Sequence, residues 1–180
     1  MNFNGYVTHE GCDHIFFVGF LGVGKSTLAR NLGKLYRRRY VDTDRLAERI
    51  LRKSVCDCFS EDGEEYFRDI ETQVLRDLFQ ERSLLVSCGG GIVERSENTY
   101  LMHEMGSVVF LKGCLADSER HIQHPEKRPD WGELCDNKAL YKHRMPLYES
   151  AADFVIEVTN KSFEQVAQEA GELLWEKGLI

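Results

Sequence analysis

The chain has 180 residues, of which 42% are hydrophobic and 29% are charged, and this balance is typical of a globular protein. Its formal net charge of −7 argues against a general nucleic-acid binder, because polyanions would be repelled on average. No apolar run approaches the roughly 20 residues of a membrane helix, and residues 1–10 lack the basic start and apolar core of a secretory signal. We therefore expect no nucleic-acid or membrane partner, and we interpret residues 1–12 as a flexible leader and residues 13–180 as one domain.

The first predicted elements are a buried strand at 15–18, a glycine loop at 19–26 and a helix that follows the loop. The loop reads GFLGVGKS and matches G-x-x-x-x-G-K-S, the phosphate-binding loop of nucleotide-binding proteins, in the strand–loop–helix context that this motif requires. Glycines let backbone N–H groups converge on phosphate oxygens, and the helix dipole points its positive end at the same place. We expect Lys25 to reach the β- and γ-phosphates, and the Ser26 hydroxyl to ligate Mg²⁺. The sequence therefore predicts a nucleoside-triphosphate site that contains Gly22, Val23, Gly24, Lys25, Ser26 and Thr27.

Acidic residues follow the second predicted strand, 39–41, at its carboxyl end. Ligand groups gather outside this end of the strands in an open parallel sheet. One reading is that Thr43 or Asp44 serves only as the N-cap of the next predicted helix, 45–52. Because a cap needs one residue, the presence of both Asp42 and Asp44 beside a Mg-nucleotide site favours a metal or substrate role.

The next predicted helical region, 57–81, carries an apolar stripe at helical spacing that faces the core. Arg68 lies at the edge of this stripe, where it is either an ordinary surface charge or a side chain that leans into a cleft. The third predicted strand, 84–88, is apolar at nearly every position, as is typical of a central parallel strand. It runs straight into Gly89, Gly90 and Gly91, where we expect close approach of the backbone to a ligand.

The remaining sequence keeps this alternation of strands and helices. Further helices are predicted at 95–105, 115–122, 137–149 and 163–174, further strands at 108–111 and 154–158, and a solvated helix end at the arginines 37–39. The segment 121–136 is polar, basic and broken by prolines, which is typical of a mobile lid that closes over substrates. Alternation around one phosphate-binding loop predicts an α/β domain with the three-layer α/β/α fold of P-loop NTPases and a five-stranded parallel sheet.

The six cysteines have no spacing that, with nearby histidines, would complete a zinc site. An enzyme with a phosphate-binding loop belongs in the cytosol, where thiols stay reduced, so we expect free, mostly buried thiols and a cytoplasmic location. We also expect a monomer, because no exposed apolar stripe is evident in the sequence.

With these motifs in this order, the chain resembles the shikimate kinase family from residue 15 to residue 158. The motifs that carry the resemblance are GFLGVGKS at 19–26, VDTD at 41–44, GEEYFR at 63–68, GGG at 89–91, KRP at 127–129 and RMPLY at 144–148. The resemblance implies that the chain transfers the γ-phosphoryl group of ATP to the 3-hydroxyl of shikimate, with Mg²⁺, in the pathway to chorismate and the aromatic amino acids.

The resemblance also implies a role for each matched residue. Lys25, Asp44 and Arg128 would be catalytic: Asp44 accepts the proton of the attacking hydroxyl, and Arg128 is the lid arginine that also binds the nucleotide. Ser26 and Asp42 would hold Mg²⁺, the latter through water. The residues implied to bind shikimate are Asp44, Arg68, Gly89, Gly90, Gly91 and Arg144.

Two alternatives stay open on the sequence. One is a related small-molecule kinase with another acceptor, such as gluconate, and the other is a nucleotide-binding homologue without catalysis. Asp130 and Trp131 stand where the family usually has leucines after Arg-Pro, which keeps both alternatives open. The pair Arg68 and Arg144, with the three glycines, favours shikimate.

Overall fold

The computed structural model describes residues 12–122, 129 and 136–180. Several predicted features lie outside the described residues: the leader up to residue 11, Cys135, Asp130, Trp131, and Arg128 with most of the predicted lid.

Five parallel strands form one sheet in the order β2-β3-β1-β4-β5. The strands are β1 (His14–Val18), β2 (Tyr40–Asp42), β3 (Leu85–Ser87), β4 (Gly106–Lys112) and β5 (Phe154–Glu157). Parallel neighbours require a crossover between them, and a helical segment follows each of the first four strands before the next begins. The predicted fold class, a five-stranded parallel sheet in an α/β protein, is confirmed.

Eight α-helices surround the sheet in the described ranges. They are α1 (Lys25–Leu35), α2 (Thr43–Leu51), α3 (Val55–Glu61), α4 (Glu64–Asp77), α5 (Ser96–Met105), α6 (Leu115–His121), α7 (Asn137–Ala151) and α8 (Phe163–Glu176). Short 3-10 helices occur at Leu78–Gln80 and Ile92–Glu94. Among the described helices, none has the length and apolar character needed to cross a bilayer.

The helical region predicted at 57–81 consists of two helices, α3 and α4. Ser54 caps α3 by accepting a hydrogen bond from the Asp57 amide, so this helix begins at residue 55. The chain then breaks at Gly63, whose φ of 88° lies in the left-handed region that glycine adopts without strain, and α4 starts at the next residue. The break places Arg68 in the second turn of α4.

Side chains of β1 alternate between two cores, which makes the structure three-layered. Phe16 and Val18 pack with residues of α4, α5 and α7 on one face. Ile15 and Phe17 pack with residues of α1 and α8 on the other. Because successive side chains of a strand point to opposite faces, one fully buried strand supports both layers. Cys12, which the sequence analysis places in the leader, is buried in the first of these cores.

The arginine run at 37–39 is not uniformly solvated, so that part of the prediction was wrong. The Arg38 guanidinium donates to the carbonyl oxygens of Ser83 at 3.0 Å and Leu179 at 2.5 Å, and it pairs with Asp13. Its side chain is 11% exposed. Arg38 therefore ties the loop before β3 to the chain terminus, at the end of the sheet opposite the phosphate-binding loop.

Candidate active site

The phosphate-binding loop connects the end of β1 to the start of α1. Gly24 is the N-cap of α1 and has a φ of 95°, a backbone conformation that L side chains rarely adopt. No side chain among the described residues caps this helix, so its first N–H groups point towards the space above the loop. Lys25 is buried, and its Nζ donates to the carbonyl oxygens of Gly19 at 2.7 Å and Phe20 at 2.9 Å. The loop thus presents backbone donors and an ammonium group from one concave surface.

A cluster of oxygen atoms lies beside this loop, at the carboxyl ends of β2 and β3. The Ser26 hydroxyl donates to Oδ2 of Asp42 at 2.9 Å, and its oxygen lies 2.9 Å from the Ser87 hydroxyl oxygen. The Tyr40 hydroxyl donates to the same carboxylate oxygen at 3.2 Å. Hydroxyl and carboxylate oxygens are the ligands that Mg²⁺ prefers, so Ser26 and Asp42 fit the metal role predicted for them.

The chemistry of this cluster limits how a metal ion could be held. In the described part of the chain, no three His, Cys, Asp or Glu side chains gather at one place. Mg²⁺ is usually bound by one or two protein oxygens together with water and substrate phosphates. A site made by one hydroxyl and one carboxylate beside a phosphate-binding loop matches that pattern.

The N-cap of α2 is Asp42, and not Thr43 or Asp44. Oδ1 of Asp42 accepts from the Arg45 amide at 3.3 Å, while its other oxygen faces Ser26. The Thr43 hydroxyl oxygen accepts from the Gly89 amide at 2.8 Å and so joins the end of β2 to the glycine segment. Asp44 does not cap the helix and lines the cleft instead, where a Cβ placed on Gly89 would lie 2.2 Å from Oδ1 of Asp44.

Two buried arginines approach the other glycines. A Cβ on Gly91 would lie 2.2 Å from Nη1 of Arg68, and a Cβ on Gly90 would lie 3.4 Å from Nη1 of Arg144. Real Cβ atoms do not come as close as the first of these distances, so a side chain at position 91 would require the Arg68 guanidinium to shift. The structure thus brings the predicted substrate residues together around residues 89–91, at the carboxyl end of β3.

Arg68 is 4% exposed, so of the two possibilities that the sequence leaves open it is a side chain in the cleft and not a surface charge. Its Nη1 donates to Glu71 at 2.5 Å, and its Nε and Nη2 donate to Glu64 at 3.2 and 2.8 Å. The guanidinium also lies over the rings of Phe59 and Phe67, at 5.6 and 5.7 Å from their centroids. Burial disfavours the charged form, but Glu71 and then Glu64 outweigh it, so the pKa of Arg68 is raised and the cation is retained.

Arg144, on α7, is 1% exposed, and its Nε donates to Oε1 of Glu94 at 2.7 Å. The other oxygen of Glu94 lies 2.8 Å from Nε2 of His143. Burial alone would raise the pKa of the Glu94 carboxyl, but the hydrogen bonds from Arg144 and His143 lower it below its usual value. One turn further along α7, the Tyr148 hydroxyl donates to the Gly90 carbonyl oxygen at 2.5 Å. The helix α7 therefore carries Arg144 and also, through Tyr148, hydrogen-bonds the backbone of the neighbouring Gly90.

Two adjoining hollows contain many of these groups, although Arg144 is not among the residues that line either of them. The larger, of about 930 Å³, is lined by Gly22, Val23, Gly24, Lys25, Ser26 and Thr27, by Asp42 and Asp44, and by the start of α8. The smaller is lined by Arg68, Glu71, Gly91 and the ring of Phe59, among others. Four residues line both hollows, namely Leu21, Asp44, Val55 and Gly90. Asp44 therefore stands where a nucleotide-sized space meets a small charged one.

Sequence reasoning found most of these groups and missed several. Arg128 lies outside the described residues, so its predicted position stays a prediction. Glu71 was missed although its spacing of three from Arg68 on a helix puts the two on one face. Glu94 gave no local signal, because its partner lies 50 positions away along the chain. Tyr148 belongs to the motif at 144–148, but its contact with Gly90, 58 positions away, was not predicted.

Comparison with known proteins agrees with this geometry. A family model described as shikimate kinase matches residues 21–175. A shikimate kinase from Dictyoglomus turgidum is 37% identical over 163 residues, which cover 88% of this chain and 95% of that protein. A shikimate kinase from Prochlorococcus marinus is 39% identical, with 85% of this chain and 82% of that protein covered.

The chain is also similar to solved structures. The chain is similar to a shikimate kinase from Acinetobacter baumannii in complex with shikimate, with a TM-score of 0.84 and 29% identity over 93% of this chain and 95% of that one. A gluconokinase from Sinorhizobium meliloti has a TM-score of 0.60 and 15% identity over 95% and 97% of the two chains. At that identity, the second likeness concerns the fold alone.

Proposed function

This chain belongs to the shikimate kinase family, and from that premise we propose that it transfers the γ-phosphoryl group of ATP to the 3-hydroxyl of shikimate. The products are shikimate 3-phosphate and ADP, in the pathway to chorismate and the aromatic amino acids. The observation that carries the proposal is the gathering of Asp44, Arg68 and Arg144 around residues 89–91, directly beside the phosphate-binding loop. An acid that bears hydroxyl groups needs a carboxylate clamp and a hydroxyl acceptor, and this arrangement supports both.

We assign the phosphate donor to the larger hollow. The N–H groups at the start of α1 would bind phosphate oxygens, and Lys25 would exchange its two carbonyl acceptors for the β- and γ-phosphates. Ser26 and Asp42 would hold Mg²⁺, the latter through water. When bound, this ion supplies charge neutralisation for the transferring group.

We assign shikimate to the smaller hollow. Guanidinium groups bind carboxylates through two parallel hydrogen bonds, which fix orientation as well as charge, and lysine cannot reproduce this fork. Arg68 and Arg144 would together grip the acid, with the backbone of the three glycines lining the pocket. The carboxylates of Glu71 and Glu94, which already pair with the two arginines, would keep them ordered before the substrate arrives.

We assign the proton transfer to Asp44. In the proposed step the shikimate 3-hydroxyl oxygen forms a bond to the γ-phosphorus, the bond between this phosphorus and the bridging oxygen of ADP breaks, and the hydroxyl proton passes to the Asp44 carboxylate. Arg128 would close with the lid and stabilise the charge on the transferring group. Its role rests on the family motif, because Arg128 lies outside the described residues.

A coupled assay of ADP release with Mg-ATP tests the function, run with shikimate, with gluconate and without acceptor. We expect release that depends on shikimate and is lost in Lys25→Ala, while Lys34→Ala, on the exposed end of α1, behaves as the unsubstituted protein. Release that depends on gluconate instead, or ATP binding without any turnover, would contradict the proposal.

A cytoplasmic location and a monomeric state are also part of the proposal. Within the described ranges, no disulfide involves Cys12, Cys56, Cys58, Cys88 or Cys114, which agrees with the reducing cytosol. The three most exposed large apolar side chains among the described residues, Leu35, Tyr100 and Trp175, lie on different helices, which supports a monomer. Light scattering on a sizing column tests the second point, and a mass of two chains would contradict it.

A further inference from the structure

The buried guanidinium of Arg144 is held by a carboxylate that no local pattern predicts. We propose that Glu94 is the positioning residue for Arg144, so that its carboxylate sets how tightly the proposed site binds the carboxylate of shikimate. This inference rests on the proposed function, since it gives Arg144 its substrate.

The contact between the two residues is specific in its geometry. Glu94 ends the short 3-10 helix Ile92–Glu94, which follows directly after the three glycines. Its Oε1 accepts from Nε of Arg144 at 2.7 Å, while Nη1 of the same guanidinium lies on the side of Gly90. The planar guanidinium group of Arg144 cannot rotate without breaking its hydrogen bond from Nε to Glu94. Glu94 therefore fixes which edge of the guanidinium faces the glycine segment.

The carboxylate is itself held in place on its other side. Oε2 of Glu94 lies 2.8 Å from Nε2 of His143, the residue that precedes Arg144 on α7. The side chain of Glu94 is 20% exposed and that of Arg144 is 2% exposed, so the pair is largely removed from water. A buried charge that loses its partner is costly, and an arginine side chain that must be ordered on binding weakens affinity. Both effects predict weaker acid binding when Glu94 is removed.

Arg144 and Arg68 are supported in comparable ways, although their partners come from different parts of the chain. Arg68 takes its buried partner, Glu71, from the same helix at a spacing of three. Arg144 takes Glu94 from a separate element, 50 positions away along the chain. Each guanidinium group thus pairs with a carboxylate, that of Arg68 with Glu71 on α4 and that of Arg144 with Glu94 in the 3-10 helix after the glycines.

A purely structural role for Glu94 makes a different prediction. The Glu94 amide donates to the Gly91 carbonyl oxygen at 2.9 Å, and the side chain connects this turn to α7. If the side chain served only to join these elements, its loss would lower the melting temperature and leave shikimate affinity unchanged. The relation between KM for shikimate, KM for ATP and kcat separates the two roles.

The test compares Glu94→Ala and Glu94→Gln with Glu97→Ala. Glu97, on α5, makes an exposed ion pair with Arg76 and is the matched control. We expect Glu94→Ala to raise KM for shikimate about tenfold, since a hydrogen bond to a charged group is lost, and to change KM for ATP and kcat less than about twofold. Glu94→Gln should recover part of the affinity because its amide oxygen still accepts from Nε of Arg144. The control should match the unsubstituted protein.

The double variant Glu94→Ala with Arg144→Ala shows whether Glu94 acts through Arg144. We expect it to bind shikimate no more weakly than Arg144→Ala alone, because the residue that Glu94 positions is already absent. A further loss of affinity in the double variant would overturn the proposal, as would a Glu94→Ala protein with lowered Tm and unchanged KM.

Calorimetric titration with shikimate keeps this test separate from the test of function. Kd is measured without turnover, so a protein that binds shikimate but releases no ADP would contradict the proposed function and still decide the role of Glu94. Absence of shikimate binding in the unsubstituted protein would overturn both proposals.

Discussion

Ser26 and Asp42 are joined by a hydrogen bond of 2.9 Å, from the hydroxyl of the first helical turn to the carboxylate at the end of β2. The bond brings the phosphate-binding loop and the neighbouring strand to one point, where two further hydroxyls, those of Tyr40 and Ser87, also gather. Metal sites depend on such supporting groups as well as on direct ligands. A substitution at this contact should therefore lower the affinity for Mg²⁺ while leaving the rest of the site intact.

We predict that Asp42→Asn weakens Mg²⁺ binding about 10–100-fold, the usual cost of losing a supporting carboxylate. Asparagine caps helices as well as aspartate does, so α2 should stay intact and the loss should fall on the metal. Titration of Mg²⁺ against the protein with ADP measures this directly. Asp69→Asn, on the exposed face of α4, is the control, and equal Mg²⁺ affinity in both variants would contradict the metal role.

A second prediction concerns the fork of Arg68. Arg68→Lys keeps the positive charge near Glu71 but loses the paired donors that a carboxylate needs. We expect KM for shikimate to rise at least about tenfold, by analogy with the loss of a charged hydrogen bond, while ATP affinity stays the same.

Steady-state kinetics with each substrate varied in turn measures the effect of Arg68→Lys. Arg76→Lys makes the same change at an exposed position of the same helix and should have no effect. Equal losses of affinity for shikimate and ATP would show that Arg68 supports the site as a whole rather than the acid.

The fold was predictable because its signals are local. A buried strand, a glycine loop and a helix follow one another within the first part of the chain, and apolar runs of strand length recur between amphipathic helices. The division of the helical region 57–81 into two helices also has a local cause, because Gly63 has a positive φ. Periodicity gives the type of an element more reliably than its ends.

Residues of the site were predictable only where they belong to a recognisable sequence motif. Asp42, Arg68 and Arg144 each sit in a short pattern, whereas Glu94 is recognised only when α7 is packed against the turn after β3. The surroundings of Arg38 were also not predictable from its neighbours in the sequence. Its neighbours in the arginine run suggest solvent, yet its guanidinium is buried against carbonyl groups from distant segments. Contacts between residues that are distant in the chain depend on how the elements pack, and a short stretch of sequence does not reveal them.

A third prediction is acid sensitivity of the fold at His14, which is 1% exposed on β1. Its Nε2 donates to the Leu78 carbonyl oxygen at 3.0 Å, and its Nδ1 accepts from the Leu84 amide at 3.1 Å, so the neutral ring satisfies both groups. Burial lowers the pKa of His14 below its ordinary value of 6.5, although the bond to Leu78 acts in the opposite sense. Protonation would leave the Leu84 amide facing a second donor.

The sign of the pH effect follows from this lowered pKa. The unfolded chain takes up the proton first, so the stabilisation is complete above pH 6.5 and is lost as the pH falls below that value, by at most about 1.4 kcal/mol per pH unit. Chemical unfolding at pH 7.5 and pH 5.5 measures it. His14→Gln should be less stable at the higher pH and lose less on acidification, while the exposed His103→Gln should follow the unsubstituted protein. Parallel pH dependence in all three would contradict the assignment.

The last prediction separates binding from chemistry at Asp44, where the two hollows meet. Asp44→Asn keeps the size of the side chain beside Gly89 but removes the proton acceptor. We expect kcat to fall about 10²–10⁴-fold, the usual contribution of a general base, with Mg-ATP binding unchanged. Because Asp42 and not Asp44 caps α2, the helix should keep its stability. Single-turnover kinetics with saturating shikimate measures the chemical step, and Asp77→Asn, at the exposed end of α4, controls for loss of charge. An Asp44→Asn protein with unchanged kcat and weakened shikimate binding would limit Asp44 to holding the substrate hydroxyls.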